Sequence, residues 1–280
     1  MTTISKVWDS TTEVLGGRIG MIAPVALLTA FLPGLISAAH TSYGTSTTPG
    51  YAIATLAIAL VTLVLTIWGQ LVILAIATDP ATTGPSARAQ ATARLLPTLG
   101  VTLVLVIGFV LLLVPMILAV AFSGIDLTAL SAATAATMPR MPAGTNTFLL
   151  LYTLALIVVG LIVTARLMLT NAVVLHERRG LGAIGRSVVL TRGLTLKLIG
   201  VVILFTIVLG VSTMAAQSVS GLIFRLILGA DGVATATFLA AAVGSLVSAG
   251  FTALAYVFTA RLYVATKGDK TDMPIVTPTE

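Results

Sequence analysis

The most charged part of this apolar chain lies between Leu175 and Gly193, and it opens with His176 and Glu177. A His-Glu pair is typical of the zinc-binding helix of metalloproteases, which also needs a second histidine four residues after the first. Position 180 is glycine, and the other histidine of the chain, His40, falls on the opposite side of the membrane in the topology predicted from charge. We therefore expect no metal site here, and we assign His176 and Glu177 to the exposed end of a helix.

The arginines of the same stretch allow a second chemistry, which is the recognition of phosphate groups. If 178–197 formed one helix, Arg179, Arg186 and Lys197 would share one arc, with Leu181, Ile184 and Val188 opposite. Each basic residue near a charged membrane surface contributes about 1 kcal/mol to binding anionic lipid. The alternative is that these charges only fix topology and packing. The candidate phosphate or lipid-headgroup contacts are Arg178, Arg179, Arg186 and Arg192, and Gly193 is expected to break the helix.

No catalytic set can be assembled from the remaining residues. The apolar segments contain no histidine for a serine protease, and every acidic residue falls in a loop, a tail or a helix end. The chain has no cysteine and no glycine-rich loop before a Lys-Ser or Lys-Thr pair. We therefore expect a protein that is not an enzyme and that has no cofactor.

Composition places the chain in the membrane. Of its 280 residues, 58% are hydrophobic and 9% are charged, and the mean hydropathy is +1.11. Soluble domains carry about 25% charged residues, and an apolar stretch of about 20 residues spans a bilayer. The sequence predicts an all-α, polytopic membrane bundle with short amphipathic helices on its inner face. Its net charge of +6 fits the basic ends of membrane helices and does not indicate nucleic acid as a partner.

Six apolar segments are long enough to span the membrane. They cover about 19–39, 51–77, 95–122, 148–174, 198–222 and 235–258. An amphipathic helix over 1–17 precedes them and a cytoplasmic tail over 264–280 follows them. Prolines inside these segments predict kinks.

Charge asymmetry predicts the orientation of the six spans. Thirteen of the fifteen lysines and arginines fall on one side, and only Arg140 and Arg225 fall on the other. Because basic loops stay in the cytoplasm, both termini are expected inside, in a bacterial inner membrane. The loops 41–50, 123–147 and 223–234 are expected outside, and 123–147 has room for a short interfacial helix.

The segments before the first, third and fifth spans are similar to one another. Each ends in a branched apolar residue or leucine, then glycine, then another apolar residue, with basic residues shortly upstream; the glycines are Gly20, Gly100 and Gly200. We expect three copies of a unit that joins a short inner-face helix to a two-helix hairpin. A chance match is the alternative, because glycine is common near the start of apolar helices. In the first copy, Trp8 is expected at headgroup depth.

Ion-coupled transport lacks its ionisable groups, since almost none lies inside the predicted spans. A water-accessible cavity lined by Gln70, Asn171 or Gln217 would favour transport of a small solute or lipid. A closed, dry bundle with a basic rim would favour an accessory role. Two stripes of small residues in the sixth span, starting at Ala240 and at Ala241 and repeating every four residues, predict close helix packing within the monomer.

The segment NAVVLHERRGLGAIGRSVVLTRG, followed by an apolar span, resembles a known family. It is similar to the membrane domain that is fused to some glycerophosphoryl diester phosphodiesterases and stands alone in many bacteria. The matching elements are Glu177, the Arg186-Ser187 pair and the run from Leu190 to Gly193, while Val188 stands where the family pattern has an aromatic residue. The resemblance implies six spans and no phosphodiesterase activity, since the catalytic barrel of the fused enzymes is a separate domain.

From the sequence we therefore expect a non-catalytic membrane protein that associates with the bilayer, anionic phospholipid headgroups or a protein partner through its basic inner face. A small-solute or lipid transporter is the alternative.

Overall fold

The computed structural model describes residues 3–45, 50–124 and 142–271, and within these ranges the chain is helical, with no strand. In chain order the helices are α1 (Ile4–Ala26), a π-helical turn (Leu27–Phe31), α2 (Leu32–Tyr43), α3 (Tyr51–Thr78), α4 (Gly84–Ala121), α5 (Ala143–Leu167), α6 (Thr170–Glu177), α7 (Gly182–Leu190), α8 (Thr195–Leu228), a 3-10 turn (Ala230–Gly232) and α9 (Val233–Thr271). This confirms the predicted all-α membrane bundle.

Six helical stretches are long and apolar enough to cross a membrane, so the chain is an integral membrane protein. They are Ile4–Tyr43, Tyr51–Thr78, Gly84–Ala121, Ala143–Glu177, Thr195–Leu228 and Ala230–Gly268. Each predicted span falls inside one of them, except that the third was drawn one residue too long. The predicted loop 223–234 is shorter than expected, because apolar residues continue α8 to Leu228 and Gly229 ends it with φ +68°. Most of the predicted loop 123–147, with its interfacial helix, lies outside the described residues.

The first span and the helix before it form one bent rod. The backbone leaves helical geometry at Arg18, between the predicted amphipathic helix and the predicted span. A π-helical turn follows between Pro24 and Pro33, and its Thr29 packs so closely on α3 that a Cβ atom at Gly69 would overlap it. Both irregularities lie where the chain turns around its neighbours.

The packed core lies at one end of the bundle. It is built from the last turns of the even-numbered spans, at 71–77 in α3, 172–175 in α6 and 257–263 in α9. Most lysines and arginines of the described residues lie at this end, which we call the basic end. The most apolar window of α4 contains no buried residue. The halves of the helices far from the basic end therefore present their apolar side chains outward, as a lipid environment requires.

The three segments before the odd-numbered spans share one pattern of burial. Counting back thirteen and nine residues from Gly20, Gly100 and Gly200 reaches buried positions in every copy: Val7 and Thr11, Ala87 and Ala91, Ser187 and Thr191. The same face of each segment therefore packs on the bundle, with no insertion or deletion between copies. This register supports the predicted threefold repeat. In the first copy Trp8 is half-exposed and its ring lies 5.8 Å from that of Phe258.

The small-residue stripes of the sixth span pack within the monomer, as predicted. A Cβ atom at Gly244 would overlap the side chain of Gln217 on α8, and one at Gly34 on α2 would lie 2.9 Å from Ser245 Oγ. The two stripes therefore hold α9 against two different neighbours.

The predicted single helix over 178–197 is wrong. Arg178 adopts φ +56° and ends α6, and Gly193, at φ +87°, ends the turn after α7, as expected. Of the three residues of the predicted apolar face, Ile184 packs against the core, whereas Leu181 is 58% exposed and Val188 36%. The buried residues of this segment are Ala183, Ser187, Leu190 and Thr191. Ala183, Ser187 and Thr191 have small or hydroxyl-bearing side chains, which allow close approach to the bundle.

Candidate functional site

The predicted headgroup arginines divide into two pairs. Arg179 Nε and Arg186 Nε lie 3.3 and 3.2 Å from the Glu177 carboxylate, and the Tyr263 hydroxyl donates to the same group over 3.4 Å. Arg178 and Arg192 are exposed, and no described residue pairs with them. The structure therefore leaves two of the four candidate arginines available to an anionic headgroup, while the other two share a carboxylate.

Other arginines at the basic end bind helix carbonyls. Arg18 donates to the carbonyls of Ile76, Asp79 and Pro80, where α3 ends. Arg261 donates to Ser10 Oγ over 2.7 Å and to the Ala77 carbonyl. The Ile76 and Ala77 carbonyls lie in the last turn of α3 and have no partner within that helix, so the two cations complete the helix end. A substantial part of the basic end therefore has a packing role.

His176 and Glu177 are not the exposed helix end that the sequence predicts. The His176 ring stacks on the Tyr263 ring with centroids 5.5 Å apart, and only 12% of the Glu177 side chain is exposed. Among the described residues, no group of three or more histidine, aspartate or glutamate side chains is placed to hold a metal ion. The pair lies instead in the packed junction between α6 and α9.

The fourth span has a short break near the basic end, where Met168 and Leu169 keep backbone angles of the right-handed helical region. Helix α5 ends at Leu167 and α6 begins at Thr170. The Arg166 carbonyl accepts hydrogen bonds from Ser187 Oγ (2.7 Å) and Thr191 Oγ1 (3.3 Å) of the following inner-face segment. Because side chains of that segment satisfy a carbonyl near the break, the interruption is stable without water at this point.

Two amide side chains meet immediately after this break. Asn171 Nδ2 donates to Gln70 Oε1 over 2.7 Å, which joins α6 to α3. Whichever way the two amides are turned, one NH2 group and one carbonyl oxygen remain for another partner. No described residue occupies them, and both side chains line a cavity. The pair therefore presents a donor and an acceptor side by side inside an apolar bundle.

The cavity has a volume of about 760 Å³, which is within the range of about 300–1,000 Å³ that small-molecule sites occupy. Helices α4 and α5 form its walls, and residues of α3, α6 and α9 form its floor. No charged side chain lines it. Its chemistry is therefore that of uncharged hydrogen-bonding groups set in an apolar surface.

Several of these groups lack a partner among the described residues. Thr170 is only 3% exposed, and its Oγ1 atom is completely buried and makes no hydrogen bond. The hydroxyls of Thr102, Thr164 and Tyr256 also line the cavity without a partner in the described chain. A buried polar group without a partner costs about 1–3 kcal/mol. The lining of the cavity therefore includes hydrogen-bonding groups that have no partner in the described chain.

The mouth of the cavity opens sideways between α4 and α5. Phe109 and Val163 line it from opposite walls, and they are 59% and 43% exposed. Nearer the opposite end, the Tyr152 hydroxyl donates to the Leu112 carbonyl over 2.7 Å and joins the two helices. Between this contact and the amide pair, residues of both helices line the cavity.

Gln217, the third polar side chain singled out in the sequence, belongs to a different site. It lines a cavity of about 470 Å³ between α8 and α9, together with Ser218, Arg225 and Thr237. The structure thus brings Gln70 and Asn171 together and separates Gln217 from them. Sequence reasoning missed Thr170 and Tyr256, for which the only signal was a polar atom in an apolar segment.

No protein-family model, no curated protein sequence and no solved structure matches this chain. The resemblance to the membrane domain of glycerophosphoryl diester phosphodiesterases stays a prediction.

Proposed function

We propose that this integral membrane protein is a carrier that binds an uncharged, hydrogen-bonding molecule in the cavity between α4 and α5. The observation that supports this most strongly is the set of unpartnered donors and acceptors around the Gln70–Asn171 pair. A purely structural bundle has no need of them, since leaving polar groups without partners in lipid destabilises the fold.

The absence of charge from the lining limits the ligand. An ionised group in an apolar cavity needs a counter-charge to offset its desolvation, and the lining supplies none. Hydroxyl or amide groups, in contrast, can pair with both members of the amide pair and with the threonine hydroxyls of the lining. The ligand class is therefore neutral and rich in donors and acceptors, and it can come either from water or from the bilayer.

Binding measurements on the purified protein in nanodiscs test this proposal. The probes are glycerol and monooleoylglycerol. Both carry uncharged hydroxyl groups, but only monooleoylglycerol has an acyl chain. Replacing Gln70 and Asn171 with leucine together should weaken binding of the better probe at least tenfold, since each hydrogen bond contributes about 0.5–1.5 kcal/mol. Gln217→Leu makes the same chemical change outside the cavity and should leave the affinity unchanged. Equal affinity for all three proteins would refute the proposal.

A second candidate function is association with anionic lipid through the basic end. We place this end on the cytoplasmic side of a bacterial inner membrane. It is favoured by the exposure of Arg178 and Arg192 without a described partner. Changing both to glutamate should reduce the phosphatidylglycerol retained in native mass spectrometry, whereas Arg225→Glu at the opposite end should not. Unchanged retention would leave these arginines with a role in topology alone.

A further inference from the structure

The class of ligand can be narrowed from the way the cavity meets the bilayer. Its mouth lies between two helices that are exposed along most of their length, and Phe109 and Val163 form opposite edges. In a membrane, such an edge is in contact with lipid. A molecule that enters here comes from the hydrocarbon layer, so it must itself be soluble in that layer.

Two glycines keep this mouth open. Gly108 on α4 and Gly160 on α5 both line the cavity, and a Cβ atom built on either of them would meet nothing within 4 Å. Larger side chains at these positions would project into the space between the helices. A large side chain at either glycine would therefore reduce the space available in the cavity.

The floor and the mouth have opposite chemistry. Gln70 and Asn171 provide hydrogen-bonding groups at the inner end, while leucine, valine and phenylalanine side chains line the rest of the cavity. A second groove, lined by Trp8, Phe205 and Phe251 among others, has a similar apolar wall but no amide pair at its base. Only a molecule with a polar end and an apolar end matches both parts of the α4–α5 cavity.

We propose that the ligand is a membrane amphiphile with an uncharged, hydrogen-bonding head and an acyl or similar apolar chain. It enters sideways between α4 and α5, its head pairs with Gln70 and Asn171, and its chain lies across Gly108 and Gly160. This inference rests on the proposed function, and it replaces the general class of neutral polar molecules with one source, the bilayer.

The experiment compares monooleoylglycerol with glycerol on the wild-type protein in nanodiscs, and then on two variants. Gly160→Leu fills the mouth without touching the amide pair, and Gly210→Leu makes the same change at an open position on α8. We expect monooleoylglycerol to bind at least tenfold more tightly than glycerol. Gly160→Leu should reduce that affinity at least tenfold, and Gly210→Leu should leave it unchanged.

The outcomes separate the two proposals. If glycerol binds as tightly as monooleoylglycerol, and its binding still depends on Gln70 and Asn171, the amphiphile is refuted while the proposed carrier stands. If neither probe binds in a way that depends on the amide pair, both are refuted. The comparison of the two probes needs only the wild-type protein, so a misfolded Gly160→Leu variant does not remove the test.

Discussion

Asn171 and Gln70, which are 101 positions apart in the chain, form a hydrogen bond of 2.7 Å between the broken fourth span and the second span. The bond uses one donor and one acceptor and leaves the other half of each amide facing a cavity. A pair that only joined two helices would be expected to have its remaining groups satisfied by neighbouring side chains. This pair has none among the described residues, and we therefore interpret it as the centre of a binding site.

The buried hydroxyl of Thr170 gives a prediction about stability. Thr170→Val replaces an unpartnered hydroxyl with a methyl group of similar size, so the protein should become more stable by about 1 kcal/mol. Thermal unfolding measures this effect. In the matched variant Thr266→Val the hydroxyl lost is bonded to the Leu262 carbonyl, and stability should not rise. A destabilised Thr170→Val protein would contradict this account.

The hydrogen bonds at the break in the fourth span are expected to stabilise the fold. Ser187→Ala with Thr191→Val leaves the Arg166 carbonyl without its two side-chain donors, which should cost about 1–3 kcal/mol. Ser220→Ala, which removes a hydroxyl bonded within its own helix, is the control. Unfolding in denaturing detergent compares the three proteins. If the double variant were as stable as the control, α7 would have no role in holding the break.

Close packing at Gly69 gives a prediction about the stability of the fold. A Cβ atom there would overlap the side chain of Thr29, so Gly69→Ala should lower stability by about 1–3 kcal/mol. Gly108→Ala adds the same methyl group where nothing lies within 4 Å, and alanine favours a helix over glycine by about 1 kcal/mol. That variant should be neutral or slightly more stable. Equal melting temperatures for the two variants would show that the contact between the π-helical turn and α3 is not tight.

The orientation predicted from charge can be tested with single cysteines, because the natural chain has none. Gly180→Cys lies at the basic end, while Thr45→Cys and Gly124→Cys lie at the opposite end. An impermeant maleimide applied to intact cells should label the last two and should reach the first only after permeabilisation. Labelling of Gly180→Cys alone in intact cells would show that the orientation is opposite to the predicted one.

The sequence predicts the spans well because lipid imposes hydropathy and length on every one of them. It also indicates Gln70 and Asn171, since an amide in an apolar segment is conspicuous. It cannot tell that these two meet while Gln217 lies elsewhere, because that depends on how the helices pack. Nor does it predict that Glu177 binds both Arg186 and Tyr263, which is 86 positions away.

The apolar side chains of α7 do not all face the protein. Leu181 and Val188 are exposed, whereas Ile184 packs against the core beside the buried Ala183 and Ser187. At a membrane surface an apolar side chain can face lipid at no cost, so the apolar pattern of this helix does not predict which side packs on the bundle.

The most direct test of the central claim uses the unmodified protein and a photoreactive, uncharged monoacylglycerol in nanodiscs, with the crosslinked peptides identified by mass spectrometry. We predict crosslinks concentrated in 101–112 of α4 and 156–171 of α5 and α6, which excess monooleoylglycerol abolishes. Crosslinks spread along exposed helices such as α8, and unaffected by the competitor, would show that the cavity does not bind such a molecule.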